Sequence, residues 1–258
     1  MTDILVLSYH ALSEDWAADL SVTPAMFEEH LTALLNRGYR GATLKDAFCG
    51  AAGNKVVVPT FDDSYRSVNQ LAAPILERLG VPGTVFVPTD YAGSSAPMCW
   101  AGIDHWIGGP HEAELLPMSW DELRGLRDGG WQIGSHTCSH RWLTTLDDAA
   151  LDHELCASRD RLAQELGDPC DSLAYPYGDH DDRVVAAARA AGYRAAVTVP
   201  AVLAGGDPLR IPRVGLYHGE RQISFRMKVS PAVRRLRRSA LAPAAVRVMR
   251  RGAAALRR

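Results

Sequence analysis

Short apolar runs alternate with amphipathic stretches along most of the chain. Residues 4–10, 56–60, 82–88, 131–134, 173–178, 195–199 and 211–216 are rich in β-branched and aromatic residues and end at turn formers or polar groups, so they read as strands. Between them the spacing of apolar residues changes from two to about 3.6. Residues 24–37 place Phe27, His30, Leu31, Leu34 and Leu35 at helical spacing, behind Thr23 as N-cap and Pro24 at the first helical position, with Gly38 as the stop. Residues 44–48 predict a helical turn. Residues 65–80 predict a helix with Leu71, Ile75, Leu76 and Leu79 inward. Ser119 and Glu122 form the spacing of a capping box. Residues 147–166 and 182–191 are further helices, stopped by Gly167 and Gly192. Alternating strands and helices predict parallel βαβ units, here an α/β fold of the distorted or incomplete (β/α)7-type barrel. Residues 89–117 have no period and are long for a connection, so they are expected to lie near a site.

Polar residues recur where the strands stop. Asp62 and Asp63 end the second strand, His136 and His140 follow the fourth, Tyr177 follows the fifth, and His218 follows the last. His10 ends the first and is a candidate rim residue. Parallel strands would bring all of these to one mouth. Asp63 or Ser64 could instead cap the helix that follows. Adjacent carboxylates repel unless a cation neutralises them, so one of the pair is expected to have a raised pKa in metal-free protein. His136 and His140, four apart, can aim both rings at one ion, and Asp63 would complete a two-His, one-carboxylate set with open positions. Asp62 would then be free to take a proton from water.

Charge divides the chain. Residues 1–220 carry 30 acids and 16 Lys/Arg, whereas residues 221–258 carry 12 Lys/Arg and no acid. The sequence therefore predicts a catalytic domain over 1–220 and a basic, Arg/Ala-rich tail over 221–258. In the tail, residues 233–241 and 243–256 could form amphipathic helices. A solvated arm and a helix lying on an anionic leaflet are both open, while the lack of interleaved aromatics argues against nucleic acid. Five cysteines with no C-x-x-C pair fit reduced thiols better than a disulfide framework. The first residues lack the pattern of a signal peptide. A cytoplasmic location is expected, with peripheral contact at the inner membrane face through the tail.

Four of these segments resemble the motifs of the polysaccharide deacetylases, the family 4 carbohydrate esterases. Thr60-Phe61-Asp62-Asp63-Ser64 is similar to the first motif, with Ser64 in place of the usual Gly. His136-Thr137-Cys138-Ser139-His140 is similar to the second, and Ala174-Tyr175-Pro176-Tyr177-Gly178 to the third. Leu216-Tyr217-His218 has the form of the last. The resemblance implies a distorted (β/α) barrel that removes acyl groups from sugars. It makes Asp62 the general base, with Asp63, His136 and His140 holding a divalent metal, most often Zn2+, with Co2+, Ni2+ or Mn2+ as substitutes. The Tyr177 backbone N–H would stabilise the oxyanion, a metal-bound water would be the nucleophile and His218 the general acid, with a protonated metal-side water or His10 as fallbacks. His10, Tyr175 and Arg213 are assigned to substrate contact. Ala174 departs from the motif, since many members carry there the Arg that orients the base. Arg213 or Arg210 is the expected replacement. The Ala-Tyr-Pro-Tyr-Gly form is nearest the branch that includes the poly-N-acetylglucosamine deacetylases.

The expected function is metal-dependent hydrolysis of an N-acetyl group on an amino sugar or sugar conjugate, soluble or lipid-linked. Deformylation or another amide cleavage on a lipid-linked or small sugar is the alternative, and a non-catalytic carbohydrate-binding domain is a third reading.

Overall fold

The computed structural model of the protein describes residues 3–48, 54–199 and 206–238. Strand β1 (Asp3–Tyr9) leads through the two-residue β2 (Ala11–Leu12) and β3 (Ser21–Val22) to helix α1 (Pro24–Leu35). The Thr23 hydroxyl accepts from the Met26 N–H at 3.2 Å and caps α1. Next come β4 (Arg40–Gly41), α2 (Leu44–Phe48) and β5 (Lys55–Phe61). The helix expected after the two aspartates is broken in kind. A π-turn spans Val68–Ala72 and only then does α3 (Ala73–Leu79) begin. Pro74 lacks the N–H that an α-turn would use, and the wider turn accommodates it. Neither Asp63 nor Ser64 caps this segment: Asp63 faces two histidines and the Ser64 hydroxyl is buried without a partner.

The chain continues as β6 (Thr84–Val87), α4 (Trp120–Asp128), β7 (Gln132–Ser135), α5 (Asp148–Leu166), β8 (Ser172–Ala174), α6 (Asp182–Ala190) and β9 (Ala195–Thr198). Ser119 and Glu122 form the capping box of α4. Asp147 caps α5, and Gly167 ends it in the left-handed conformation. The last expected strand splits into β10 (Ile211–Pro212) and β11 (Val214–Gly215).

That split closes the barrel. The parallel sheet runs β10, β9, β8, β7, β6, β5, β1, β11, with β4 added beside β5. Its two ends are the two halves of one short segment, joined at Arg213. The Arg213 N–H donates to the Thr198 carbonyl at 3.0 Å, and the Leu216 N–H to the Ser8 carbonyl at 3.0 Å. Strand alternation then sorts the side chains. Val6, Val56, Val58, Phe86, Ala174, Val197 and Ile211 form one apolar cluster inside the barrel. Leu5, Leu7, Val57, Phe61, Val85, Val87, Leu173 and Val214 belong to the larger cluster that also holds the buried faces of the helices. By the same alternation His10, Thr60, Asp62, His136 and Arg213 continue the inward rows at the C-terminal mouth.

The packed body extends past residue 220. Helix α7 (Gln222–Lys228) buries Phe225 against the His30 ring of α1, centroids 4.0 Å apart. Val229 is also buried, and Arg234 of α8 (Pro231–Arg238) is buried with its guanidinium 2.6 Å from Asp3. The basic segment thus begins with two helices docked on the barrel. The second helix expected in it, over 243–256, lies outside the described residues.

Candidate active site

Backbone strain marks the site. Among the described residues, five non-glycine residues have positive φ: Asp63 at 68°, Ser64 at 53°, Thr137 at 66°, His140 at 59° and Tyr177 at 59°. All five stand in the three segments that follow β5, β7 and β8. This conformation is costly for residues with a Cβ and persists where surrounding structure holds it. At Asp63 it turns the chain so that the two neighbouring carboxylates diverge.

Asp62 points into the barrel mouth and meets Arg213. The guanidinium donates to both carboxylate oxygens, at 2.7 and 2.6 Å, and to the Thr60 hydroxyl at 2.9 Å. That hydroxyl in turn donates to the Leu7 carbonyl at 2.7 Å. His10 Nε2 lies 3.9 Å from the same carboxylate. Asp63 turns the other way. His136 Nε2 and His140 Nε2 lie 3.3 and 3.2 Å from its Oδ1, which is buried and has no hydrogen-bond partner. The ligand atoms of the three residues all fall within 4.8 Å of one another. His136 Nδ1 is fixed by the Ala174 carbonyl at 2.7 Å, which leaves Nε2 as the nitrogen facing Asp63. Two imidazole nitrogens and one carboxylate oxygen, convergent and buried, suit a divalent transition ion such as zinc.

Burial pushes both carboxyls up in pKa, and their partners outweigh it. The Arg213 guanidinium, with His136 and His10, holds Asp62 below the usual carboxylate range. His140 and His136 hold Asp63 below that range as well. The expected raised pKa is therefore not found in either acid, because each has its own cation. Burial also disfavours charge on the histidines. In His136 this is overcome by Asp63, Asp62 and the Ala174 carbonyl, and its pKa rises. His140 has fewer such partners and its pKa falls.

The turn between the two histidines depends on Glu154, a residue sequence reasoning missed. Its buried carboxylate accepts from the Cys138 N–H at 2.8 Å, the Ser139 N–H at 3.0 Å and the Ser139 hydroxyl. The signal was available: Glu154 sits among Leu151, Leu155, Ser158 and Leu162 on the buried face of α5, where a charge needs a reason. Cys138 is a bystander, its thiol pushed up to about 12 by burial.

The long connection after β6 does lie on the site. Its Trp100 stacks on His140, centroids 4.2 Å apart, and the Ala101 carbonyl accepts from the Tyr177 hydroxyl at 3.3 Å. Tyr177 packs edge-on against His140 at 4.6 Å. Among the described residues its backbone N–H donates to no protein group. Three expected positions differ. Arg213 is only 1% exposed and its guanidinium is committed to Asp62 and Thr60, so it is not available to a sugar. Arg210 pairs with Asp182 at the surface. Tyr175 is buried, its hydroxyl donating to the Leu209 carbonyl at 3.0 Å, so it is not a substrate contact either. His218 is exposed, and its side chain joins none of the hydrogen bonds or ion pairs of the acid–histidine cluster among the described residues.

The family model described as polysaccharide deacetylase matches residues 50–196. YxkH of Bacillus subtilis (strain 168), whose name marks it as a candidate polysaccharide deacetylase, is 26% identical over 233 residues, covering 88% of this chain and 72% of its own. Among solved structures, the Streptococcus pyogenes deacetylase PplD in complex with acetate superposes with a TM-score of 0.73 at 21% identity, covering 89% of this chain and 99% of that one. IcaB from Ammonifex degensii superposes at 0.68 and 21% identity, covering 93% and 98%. At these identities the superpositions show the shared fold, and the family match adds the segments that carry both aspartates and both histidines. The chain belongs to the polysaccharide deacetylase family.

Proposed function

We propose that this chain is a metal-dependent deacetylase that hydrolyses the N-acetyl group of an amino sugar. The observation that carries the reading is the divergence of Asp62 and Asp63, one paired with an arginine and the other aimed with two histidines at a common point. A divalent ion held by Asp63, His136 and His140, zinc by the donor set with Co2+, Ni2+ or Mn2+ as substitutes, would polarise the acyl carbonyl and lower the pKa of water toward ~7. Asp62 accepts the proton of the attacking water. Arg213 fixes the plane of its carboxylate and keeps it ionised, at the cost of some basicity. The uncommitted Tyr177 N–H is available to the developing oxyanion. His10, beside Asp62, is placed to protonate the leaving amine. His218 takes that role only if the leaving sugar lies against the exposed rim.

Ala174 supports placement in the Ala-Tyr-Pro-Tyr-Gly branch. The arginine that many members carry at that position is supplied here by Arg213, from the strand that closes the barrel. A lipid-linked substrate and contact with an anionic membrane are supported by the basic composition of residues 221–258. On α7 the exposed Ile223 and Met227 stand four apart beside Arg226 and Lys228. A cytoplasmic location is supported by the free thiols of Cys99, Cys138, Cys156 and Cys170.

Mass spectrometry of products from a panel of acylated amino sugars, soluble and lipid-linked, tests the reading. Loss of an acetyl group supports it. Loss of formyl alone moves the assignment to a deformylase, and no change in any sugar, with binding retained, moves it to a carbohydrate-binding domain. Comparing His10→Ala with His218→Ala assigns the proton donor, since the variant lacking it should lose at least a hundredfold in kcat.

A further inference from the structure

Trp142 stands two residues beyond His140 and has no part in the chemistry so far described. It is 48% exposed, an unusual position for so large an apolar ring. One face of its indole lies flat on Tyr177, centroids 4.0 Å apart and planes within 3°. Tyr177 is itself 37% exposed and touches His140 edge-on at 4.6 Å. A continuous aromatic surface therefore leads from a ring of the acid–histidine cluster out to solvent.

This surface is held rigidly. Asp179, just past the Tyr177 turn, accepts from the Thr144 N–H at 2.9 Å and from its hydroxyl at 2.8 Å. Arg183 donates to the Leu146 carbonyl at 2.8 Å. The two loops that carry Trp142 and Tyr177 are thus tied to each other and to α6. Holding two aromatic rings parallel and open to water in this way stabilises little on folding. It does prepare an apolar, flat contact whose ordering cost is already met.

The geometry points to a sugar-binding subsite: the outer face of Trp142 stacks against a pyranose ring of the substrate one or more residues away from the sugar that reacts. Pyranoses present a face of C–H bonds that packs on an aromatic ring, and such stacking tolerates exposed hydroxyls at the rim. The inference rests on the proposed deacetylase reading and adds to it one residue, Trp142, that grips a sugar beyond the one that reacts.

The test is a binding titration, which needs no turnover. Affinity for a β-linked N-acetylglucosamine tetramer and for the monosaccharide is measured by calorimetry with wild type, Trp142→Ala and Trp142→Phe. The subsite predicts a loss of about tenfold for the tetramer in Trp142→Ala, no change for the monosaccharide, and recovery of most of the affinity in Trp142→Phe. Equal losses for both sugars, no loss for either, or no tetramer binding by wild type would overturn it. Acetate release by the same wild-type sample is read separately. Its absence would count against the deacetylase reading without changing the titration.

Discussion

Asp62 is the residue on which the chemistry turns, and its environment makes definite predictions. Asp62→Asn should lower kcat at least a hundredfold while leaving metal content equal to wild type, because the ion's expected ligands are all elsewhere. Elemental analysis beside an acetate assay reads both. Arg213→Met leaves a buried carboxylate without its cation, a change that costs about 3–5 kcal/mol. Arg213→Lys keeps the charge but not the two-pronged geometry and should fall between. Both aspartates are held below the ordinary carboxylate range, so their contribution to stability is complete above about pH 4 and is lost as pH falls from there toward the folded values. In Arg213→Met the Asp62 share is removed, and acid unfolding of metal-free protein should begin at a higher pH. The sequence made Asp63, His136 and His140 legible because each follows an apolar run that reads as a strand and the two histidines stand four apart. It left the partner of Asp62 undecided between Arg210 and Arg213, since the two differ in their phase along one short strand. Alternation with the inward Ile211 assigns Arg213, but that argument needs the strand's place in the barrel.

At the scale of single elements, the turn that presents His140 is held by Glu154 in α5. Glu154→Ala removes the acceptor for two backbone N–H groups and should weaken metal binding about ten- to a hundredfold, as loss of a group that orients a ligand generally does. Chelator competition measures this, and Glu154→Gln, which can still accept, should lose less. Strand β7 carries a second constraint. A Cβ on Gly134 would sit 2.7 Å from the Phe86 ring and from the Ser172 hydroxyl, inside the barrel. Gly134→Ala should therefore cost about 1–3 kcal/mol in chemical denaturation. The strands and most helices could be read from periodicity and caps, Thr23 and the Ser119–Glu122 box among them. The π-turn before α3 could not, because a turn widened around Pro74 leaves no mark on the spacing of the apolar residues. Nor could the split of the last strand at Arg213, which exists only because that segment must pair on both sides.

Over the whole molecule, the charge boundary and the packing boundary do not coincide. Composition changes at residue 221, yet Phe225, Val229 and Arg234 are buried against the barrel. A chain ending at Glu220 should lose several kcal/mol, since removing one buried Phe side chain alone costs about 3–5 kcal/mol. A chain ending at Arg238 keeps both docked helices. The shorter chain is therefore a poor control for membrane binding, and the longer one separates the distal arginines from the docked helices. In liposome pelleting with anionic vesicles, the proposed membrane contact predicts salt-sensitive binding that weakens when residues 239–258 are removed. Unchanged binding would assign any contact to α7 and α8. The central claim is hydrolysis of an N-acetyl group at the Asp62–Asp63 site, and acetate release tests it most directly. Protein stripped with chelator and reloaded with zinc should release acetate from an N-acetylated amino sugar, stripped protein should not, and reloaded Asp62→Asn should hold the same metal and release at least a hundredfold less. No acetate from reloaded wild type on any such sugar, or an undiminished rate in Asp62→Asn, would contradict the account.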